Sequence, residues 1–124
     1  MRHKLYVIGV GPGGREWLTE AARKEIAACD AVIGAGTVTD TLDVDRPVYR
    51  EYLPEKVTGL LDSHPSIRRA SVVMRGDVGF FSGAKKLLSS LNDADVTVIP
   101  GVASPVLLAA RLGVSWDDAS LISL

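Results

Sequence analysis

The fold is decided by the stretch Leu5-Tyr6-Val7-Ile8-Gly9-Val10-Gly11-Pro12-Gly13-Gly14. Its first part, residues 5–10, is a continuous apolar run, which is typical of a β-strand buried on both faces of a parallel sheet. Its second part is rich in glycine, which lets the backbone turn sharply and adopt positive φ. A buried strand that ends in such a loop and is followed by a helix predicts the repeating unit of an α/β fold.

Apolar runs alternate with helix-like segments along the rest of the chain. The third run contains Pro47, which cannot donate a ladder hydrogen bond, so it is expected at a sheet edge. The alternation predicts a three-layer α/β domain with a mostly parallel five-stranded sheet. Predicted strands are 5–10, 31–35, 46–50, 70–75 and 96–99; predicted helices are 17–28, 54–63, 82–91 (N-cap Ser82) and 104–112, with a turn or short helix at 37–42.

The composition excludes several classes of protein. The chain has 124 residues, 47% apolar and 23% charged, with a formal net charge of −1, which indicates one folded domain and excludes a disordered chain. The net charge near zero does not suggest a nucleic-acid partner, because such binders are usually strongly basic. All apolar runs are shorter than about 18 residues, so none suggests a membrane-spanning segment. The single cysteine, Cys29, is expected to be a small buried residue, and with no signal-peptide pattern a cytoplasmic location is expected.

Glycines follow four of the five predicted strands. In a parallel sheet these carboxyl ends lie on one rim, and ligands of open α/β sheets bind in the crevice there. Glycine at a strand end often marks only a turn. Four clusters on one rim favour a ligand site instead; they are Gly9 to Gly14, Gly34 with Gly36, Gly76 with Gly79, and Gly101.

The first cluster formally matches the GxGxxG fingerprint of dinucleotide-binding domains. That fingerprint expects an acidic residue at the end of the second strand to hold a ribose hydroxyl. Here the second strand ends in Gly34-Ala35-Gly36, and Asp30 lies at its other end. The loop before the first helix is also longer than a pyrophosphate loop. An NAD(P)-binding domain therefore remains an alternative, as does a nucleotide-binding α/β module without catalysis.

Three motifs in order resemble those of the tetrapyrrole methylases. Residues 6–14, followed by Leu18-Thr19 and Ala22, resemble the family's opening motif. Residues 75–83 (Arg-Gly-Asp-Val-Gly-Phe-Phe-Ser-Gly) resemble the second, and residues 99–104 (Ile-Pro-Gly-Val-Ala-Ser) the third. Within the family, the chain is most similar to the branch of cobalt-precorrin-7 C(5)-methyltransferases, the precorrin-6Y methylase subunits. The residues that carry this similarity are the GPGG form of the first loop, residues 79–81 and the late Trp116-Asp117-Asp118-Ala119.

The resemblance implies methylation of a precorrin or cobalt-precorrin ring carbon with S-adenosyl-L-methionine in cobalamin biosynthesis. It implies that the loop with Gly11, Pro12 and Gly13 approaches cofactor and substrate, with Pro12 on the cofactor and the two glycines on the substrate. It assigns further cofactor contacts to Gly76, Asp77, Phe80, Ala103 and Ser104. The family's GDP motif reads Gly76-Asp77-Val78 here, and losing the proline frees φ and restores an N–H.

Several of these residues have a structural alternative. Asp77 suits a zwitterionic, cationic cofactor, but it could instead form an Asx turn or cap a helix. Ser104 could be the N-cap of the last helix, which Gly113 is expected to end. Arg15 and Arg75 are candidates for binding precorrin carboxylates, and otherwise solvated surface residues.

No side chain stands out as a general base, so no catalytic residue is assigned. No His, Cys, Asp and Glu group has metal-ligand spacing, so no metal is expected. Trp17 and Trp116 are expected to be packing anchors.

The resemblance also implies a second domain. We expect residues 1–119 to be the N-terminal domain and residues 120–124, in the apolar run Leu121–Leu124, to begin the connection to a missing C-terminal domain. Such a piece is expected to fold yet to lack methyltransferase activity alone. Homodimerisation and association with a C(15)-methylating, decarboxylating partner are expected from the family.

Overall fold

The computed structural model describes residues 3–79, 84–91 and 94–120. Strands and helices alternate along the chain, as predicted, and α3 has the predicted bounds. The strands are β1 (Lys4–Gly9), β2 (Ala31–Ile33), β3 (Val48–Tyr49), β4 (Arg69–Met74) and β5 (Asp95–Ile99). The helices are α1 (Glu20–Ala28), α2 (Gly36–Thr39), α3 (Pro54–Ser63), α4 (Ala84–Ser90) and α5 (Ser104–Leu112), with a 3₁₀ turn at Arg15–Trp17.

The five strands form one sheet in the order β3-β2-β4-β1-β5, and every pairing is parallel. The α/β fold with a five-stranded parallel sheet is thereby confirmed. β3 lies at one edge, as Pro47 indicated, and β5 lies at the other. β1 lies between β4 and β5, so the loops that leave these two strands flank the carboxyl end of β1.

Local signals explain where the helices begin and end. Helix α1 begins later than predicted, because Thr19 is extended (φ −67°, ψ 160°) and its hydroxyl accepts the N–H of Ala22 at 3.1 Å. The proline of α3 occupies its first turn, where no N–H is required. Gly113 ends α5 in the left-handed conformation, with φ +69°, as predicted. Ser82, the expected N-cap of α4, lies outside the described residues.

Two apolar clusters, one on each face of the sheet, form the core. Helices α3 and α4 cover one face, and α1 and α2 cover the other, which gives three layers. The first cluster includes Leu5, Val7, Ile33, Val57, Leu61, Val72 and Leu87. The second includes Ile8, Val10, Ala22, Ile26, Cys29, Val32, Val38 and Val73, so the cysteine is buried as predicted.

Charged side chains hold the amino ends of the strands. Asp30 Oδ2 accepts the N–H groups of Arg68 at 3.0 Å and Arg69 at 3.1 Å. Glu25, only 5% exposed, receives two hydrogen bonds from the Arg69 guanidinium, at 2.7 and 2.5 Å. Hydrogen bonding to Glu25 raises the pKa of Arg69 above its ordinary value, so this guanidinium stays charged into strongly alkaline solution.

In the described part of the chain, no helix combines the length and apolar character that crossing a membrane requires. Over the same residues, no three His, Cys, Asp or Glu side chains come together in a way that could hold a metal ion.

Candidate functional site

The loops after β1, β4 and β5 meet at the carboxyl end of β1. Gly11 and Gly76 exchange backbone hydrogen bonds, at 3.0 Å from Gly11 N to Gly76 O and 2.8 Å from Gly76 N to Gly11 O. A Cβ on Gly9 would lie 2.6 Å from Gly76 O and 2.9 Å from Gly101 N. Glycine at position 9 is therefore required by the close approach of two other loops, which pack backbone against backbone.

The carboxylate of Asp77 joins two of these loops. Its Oδ2 accepts the N–H of Gly79 at 3.1 Å, which is the Asx turn considered as the alternative role. Its Oδ1 accepts the N–H of Gly101 at 3.0 Å, across the end of β1. Each carboxylate oxygen has two lone-pair sites, so Asp77 can brace both loops and still accept a hydrogen bond from a ligand.

A cavity of about 480 Å³ opens beside this carboxylate. Among the described residues that line it, Asp77 is the one charged group, and the others are glycines or apolar side chains. The cavity therefore pairs one negative charge with an extended apolar wall. The lining residues are Asp77, Gly79, Pro100, Gly101, Val102, Ala103, Pro105, Val106 and Trp116.

The cavity brings together some of the predicted cofactor residues. Asp77 and Ala103 line it, and Gly76 adjoins Asp77 in the backbone bridge. Pro12 and Ser104 are not among its lining residues. Phe80 lies outside the described residues.

The predicted N-cap role of Ser104 is wrong. Ala103 is the N-cap of α5, extended at φ −73° and ψ 149°, and no side chain hydrogen-bonds there. Ser104 is exposed and is already the first helical residue. Pro105 follows in the first turn of α5, where no backbone N–H is required.

Arg75 holds the first loop in place. Its Nη1 donates to Pro12 O at 2.7 Å and its Nη2 donates to Thr37 O at 2.9 Å, so the guanidinium connects the loop to α2. Gly11 and Gly13 adopt φ of +75° and +118°, which explains the glycines of this loop. Arg75 is exposed and its positive charge is not paired with a carboxylate among the described residues.

Arg15 and Arg75, the two predicted substrate cations, lie in different clefts. Arg15 lies 3.8 Å from Asp43 in an exposed ion pair and lines a cleft of about 290 Å³ with Arg23 and Arg46. Arg75 lines a smaller cavity of about 160 Å³ at the ends of β2 and β4.

Gly34, after β2, has a packing role. A Cβ on Gly34 would lie 2.7 Å from Val73 Cγ2 and 2.8 Å from Val73 O, whereas a Cβ on Gly36 would meet the exposed guanidinium of Arg50, which can move. Three of the four glycine clusters therefore converge at β1, β4 and β5, and the fourth serves packing beside β2.

Trp116 was missed as a site residue. It is 46% exposed and lines the cavity beside Asp77, so the expectation that it is a packing anchor is wrong. The stretch Trp116-Asp117-Asp118-Ala119 is similar to one branch of the family, but that similarity assigned no ligand contact to this position. The fold decides it, because the chain reverses at Gly113 and Trp116 reaches the cavity lined by the first turn of α5.

The dinucleotide alternative does not fit this geometry. Residues 10–19 separate β1 from α1, whereas a pyrophosphate loop leads directly into its helix. Asp30, the acidic residue nearest to β2, is engaged at the amino end of the sheet by the backbone of Arg68 and Arg69.

Comparison with known proteins agrees with the three motifs. The family model of the tetrapyrrole (corrin/porphyrin) methylases matches residues 4–124. A probable cobalt-precorrin-7 C(5)-methyltransferase of Methanocaldococcus jannaschii is 27% identical over 125 residues, which are 97% of this chain and 59% of that protein. The cobalt-precorrin-7 C(5)-methyltransferase of Salmonella typhimurium is 29% identical over 132 residues, covering 96% of this chain and 60% of that protein.

Solved structures share the fold. A uroporphyrin-III C-methyltransferase from Thermus thermophilus, complexed with S-adenosylhomocysteine, superposes with a TM-score of 0.71 and 26% identity, covering 87% of this chain and 48% of that one. The chain thus spans about 60% of the length of the two sequence relatives. With a family model matched over residues 4–124 and the motif loops gathered at one rim, the chain belongs to the tetrapyrrole (corrin/porphyrin) methylases.

Proposed function

We propose that this chain is the cofactor-binding part of a methyltransferase that uses S-adenosyl-L-methionine to methylate a precorrin or cobalt-precorrin ring carbon in cobalamin biosynthesis. The cavity beside Asp77 is the observation that supports this most directly. Both sequence relatives are cobalt-precorrin-7 C(5)-methyltransferases by name, so C(5) of that ring is the proposed target.

The cavity suits the cofactor chemically. S-adenosylmethionine combines an uncharged aromatic base, whose flat faces stack on apolar surfaces, with a cationic sulfur and an ammonium group. The apolar wall formed by Val102, Ala103 and Val106 matches the base, and the carboxylate of Asp77 matches a cation. Gly79 lines the cavity without a side chain, so a ligand can approach its backbone closely.

When bound, the cofactor would supply an activated methyl group for in-line displacement at the methyl carbon, with the ring carbon as nucleophile and the sulfur of S-adenosylhomocysteine as leaving group. Asp77 then acts by position, because its two backbone hydrogen bonds hold the β4 and β5 loops in one arrangement around the ligand. Alignment of two reacting groups can lower a barrier by as much as about 7–11 kcal/mol. Arg75 holds the first loop in the same way, through Pro12 O and Thr37 O.

In this proposal residues 1–119 form the first of two domains and residues 120–124 begin the connection to the second. Substrate contacts are assigned to Gly11, Gly13 and Arg15, which follow β1, and to Arg75, which follows β4; the two arginines, which lie in different clefts, are assigned to precorrin carboxylates. Homodimerisation and a C(15)-methylating, decarboxylating partner stay predictions from the family.

Calorimetric titration with S-adenosylhomocysteine, NADH and ATP tests the proposal. We expect saturable binding of S-adenosylhomocysteine and much weaker binding of the other two. Asp77→Ala is expected to weaken S-adenosylhomocysteine binding at least about tenfold, the scale of a charge-assisted contact. Asp62→Ala removes an equal charge from an exposed position of α3 and is the matched control. A preference for NADH, or equal affinities of the Asp77 and Asp62 variants, would contradict the assignment.

A further inference from the structure

Trp116 is an exposed aromatic side chain at a defined position. Its backbone oxygen accepts the N–H of Ala119 at 3.1 Å, and Asp117 N donates to Ser115 Oγ at 3.2 Å, so a hydrogen-bonded turn carries the ring. The same ring is 46% exposed and lines the cavity beside Asp77. A large exposed aromatic at the mouth of a pocket is typical of a contact for a flat ligand.

The path of the chain brings Trp116 to this cavity. After α5 the backbone reverses at Gly113, where φ is +69° and the N–H of Val114 donates to Ala109 O at 3.0 Å. Trp116 therefore shares the cavity with Pro105 and Val106, which lie in the first turn of α5. The ring completes an apolar wall that begins at Val102.

Polarity divides the cavity into two parts. The carboxylate of Asp77 lies beside the backbone bridge of the three loops, whereas proline, valine, alanine and tryptophan side chains form the remaining described lining. A cationic group is favoured near Asp77. An uncharged aromatic group is favoured against the apolar part, where it can stack on an indole ring.

We propose that Trp116 is the surface on which the adenine ring of S-adenosylmethionine stacks. This inference rests on the proposed function, since it concerns the same cavity. It assigns a contact to a residue that lies outside the three sequence motifs, 12 positions after Ser104, the last residue of the third motif.

The two tryptophans of the chain, Trp17 and Trp116, allow a direct test by fluorescence. The Trp17→Phe variant retains only the emission of Trp116, and the Trp116→Phe variant retains only that of Trp17, whose ring packs near the Arg111 guanidinium, 5.8 Å from its centroid. In the Trp17→Phe variant, S-adenosylhomocysteine and adenosine are expected to quench the emission saturably, and methionine is not. In the Trp116→Phe variant none of the three is expected to quench.

Affinity provides an independent measurement. Trp116→Ala is expected to weaken S-adenosylhomocysteine binding about ten- to hundredfold, the range for loss of one base–aromatic stack, and Trp116→Phe by less. Leu112→Ala removes an apolar side chain that is 65% exposed on α5 and outside the cavity lining, and it is expected to bind like the unmodified chain.

The outcomes separate the two proposals. If the unmodified chain binds S-adenosylhomocysteine while Trp116→Ala binds equally well and Trp116 emission is unchanged, the stacking inference is overturned and the proposed function stands. Quenching of Trp116 by methionine but not adenosine would place the other end of the cofactor there and overturn the adenine assignment. Absence of S-adenosylhomocysteine binding at millimolar concentration would overturn both. The fluorescence titration uses the Trp17→Phe variant, in which Trp116 is intact, so it tests the inference even if Trp116→Ala does not fold.

Discussion

Replacing Gly9 with alanine is expected to force apart the loops at the carboxyl end of β1. The added Cβ would lie 2.6 Å from Gly76 O and 2.9 Å from both Asp77 Cα and Gly101 N, where ordinary contacts begin at 3.4 Å. The deficit is about 0.8 Å at the first atom and about 0.5 Å at the other two. All three are backbone atoms, so no side chain can rotate away to make room.

The cost follows from the hydrogen bonds that such a shift would break. Gly76 O accepts from Gly11 N at 3.0 Å, and Gly101 N donates to Asp77 Oδ1 at 3.0 Å. Losing the neutral bond costs about 1 kcal/mol and losing the carboxylate bond about 1.5–3 kcal/mol. Residual overpacking adds about 1–3 kcal/mol, and the reduced entropy of the unfolded alanine chain offsets about 0.5–1 kcal/mol. The expected net loss is about 2.5–6.5 kcal/mol, a large part of a typical domain stability of about 5–15 kcal/mol.

Urea unfolding followed by circular dichroism measures this loss. Gly76→Ala is the matched comparison: its φ is +73°, yet nothing lies within 4 Å of its Cβ position, so only the left-handed backbone cost of about 1–2 kcal/mol applies. We expect the Gly9 variant to lose clearly more stability than the Gly76 variant. A Gly9→Ala protein within about 1 kcal/mol of the unmodified chain, or more stable than Gly76→Ala, would refute the account of three loops packed backbone to backbone.

Other substitutions test separate parts of the structure. Gly59→Ala, in an exposed position of α3 with open space around its Cβ position, should raise the free energy of unfolding by about 0.5–1 kcal/mol, and a decrease in a urea titration would count against it. The fully buried Oγ of Ser71 has no hydrogen-bond partner within the described residues, so Ser71→Ala should stabilise by about 1 kcal/mol, whereas a loss would reveal an unseen partner. Arg69→Met leaves the buried Glu25 carboxylate without its ion-pair partner. The Tm measured by calorimetry should therefore fall further in this variant than in the Arg69→Met/Glu25→Leu double variant, which removes both charges. A lower Tm for the double variant would show that the stability does not depend on pairing the Glu25 charge.

The sequence by itself determined the elements and the family. A continuous apolar run that predicts a buried strand, and apolar residues at a spacing of 3.6 that predict a helix, both depend on residues close together in sequence. Helix α3 and the edge strand β3 could therefore be predicted from the sequence. The three motifs are likewise short continuous stretches, and each follows a strand of the same parallel sheet. Knowledge that such strands end on one rim was enough to place the candidate site there.

Only the tertiary structure decided what the site residues contact. The bond from Gly101 to Asp77 joins residues 24 positions apart, and it exists because β1 lies between β4 and β5. Arg75 reaches Pro12 across 63 positions, and the reversal at Gly113 places Trp116 at the cavity rather than in the core. Local periodicity carries no information about strand order or chain reversal, and these two features set the distances between loops. The sequence alone could therefore predict which residue types belong to the site. The hydrogen-bond and packing partners of these residues depended on the packing of the whole sheet.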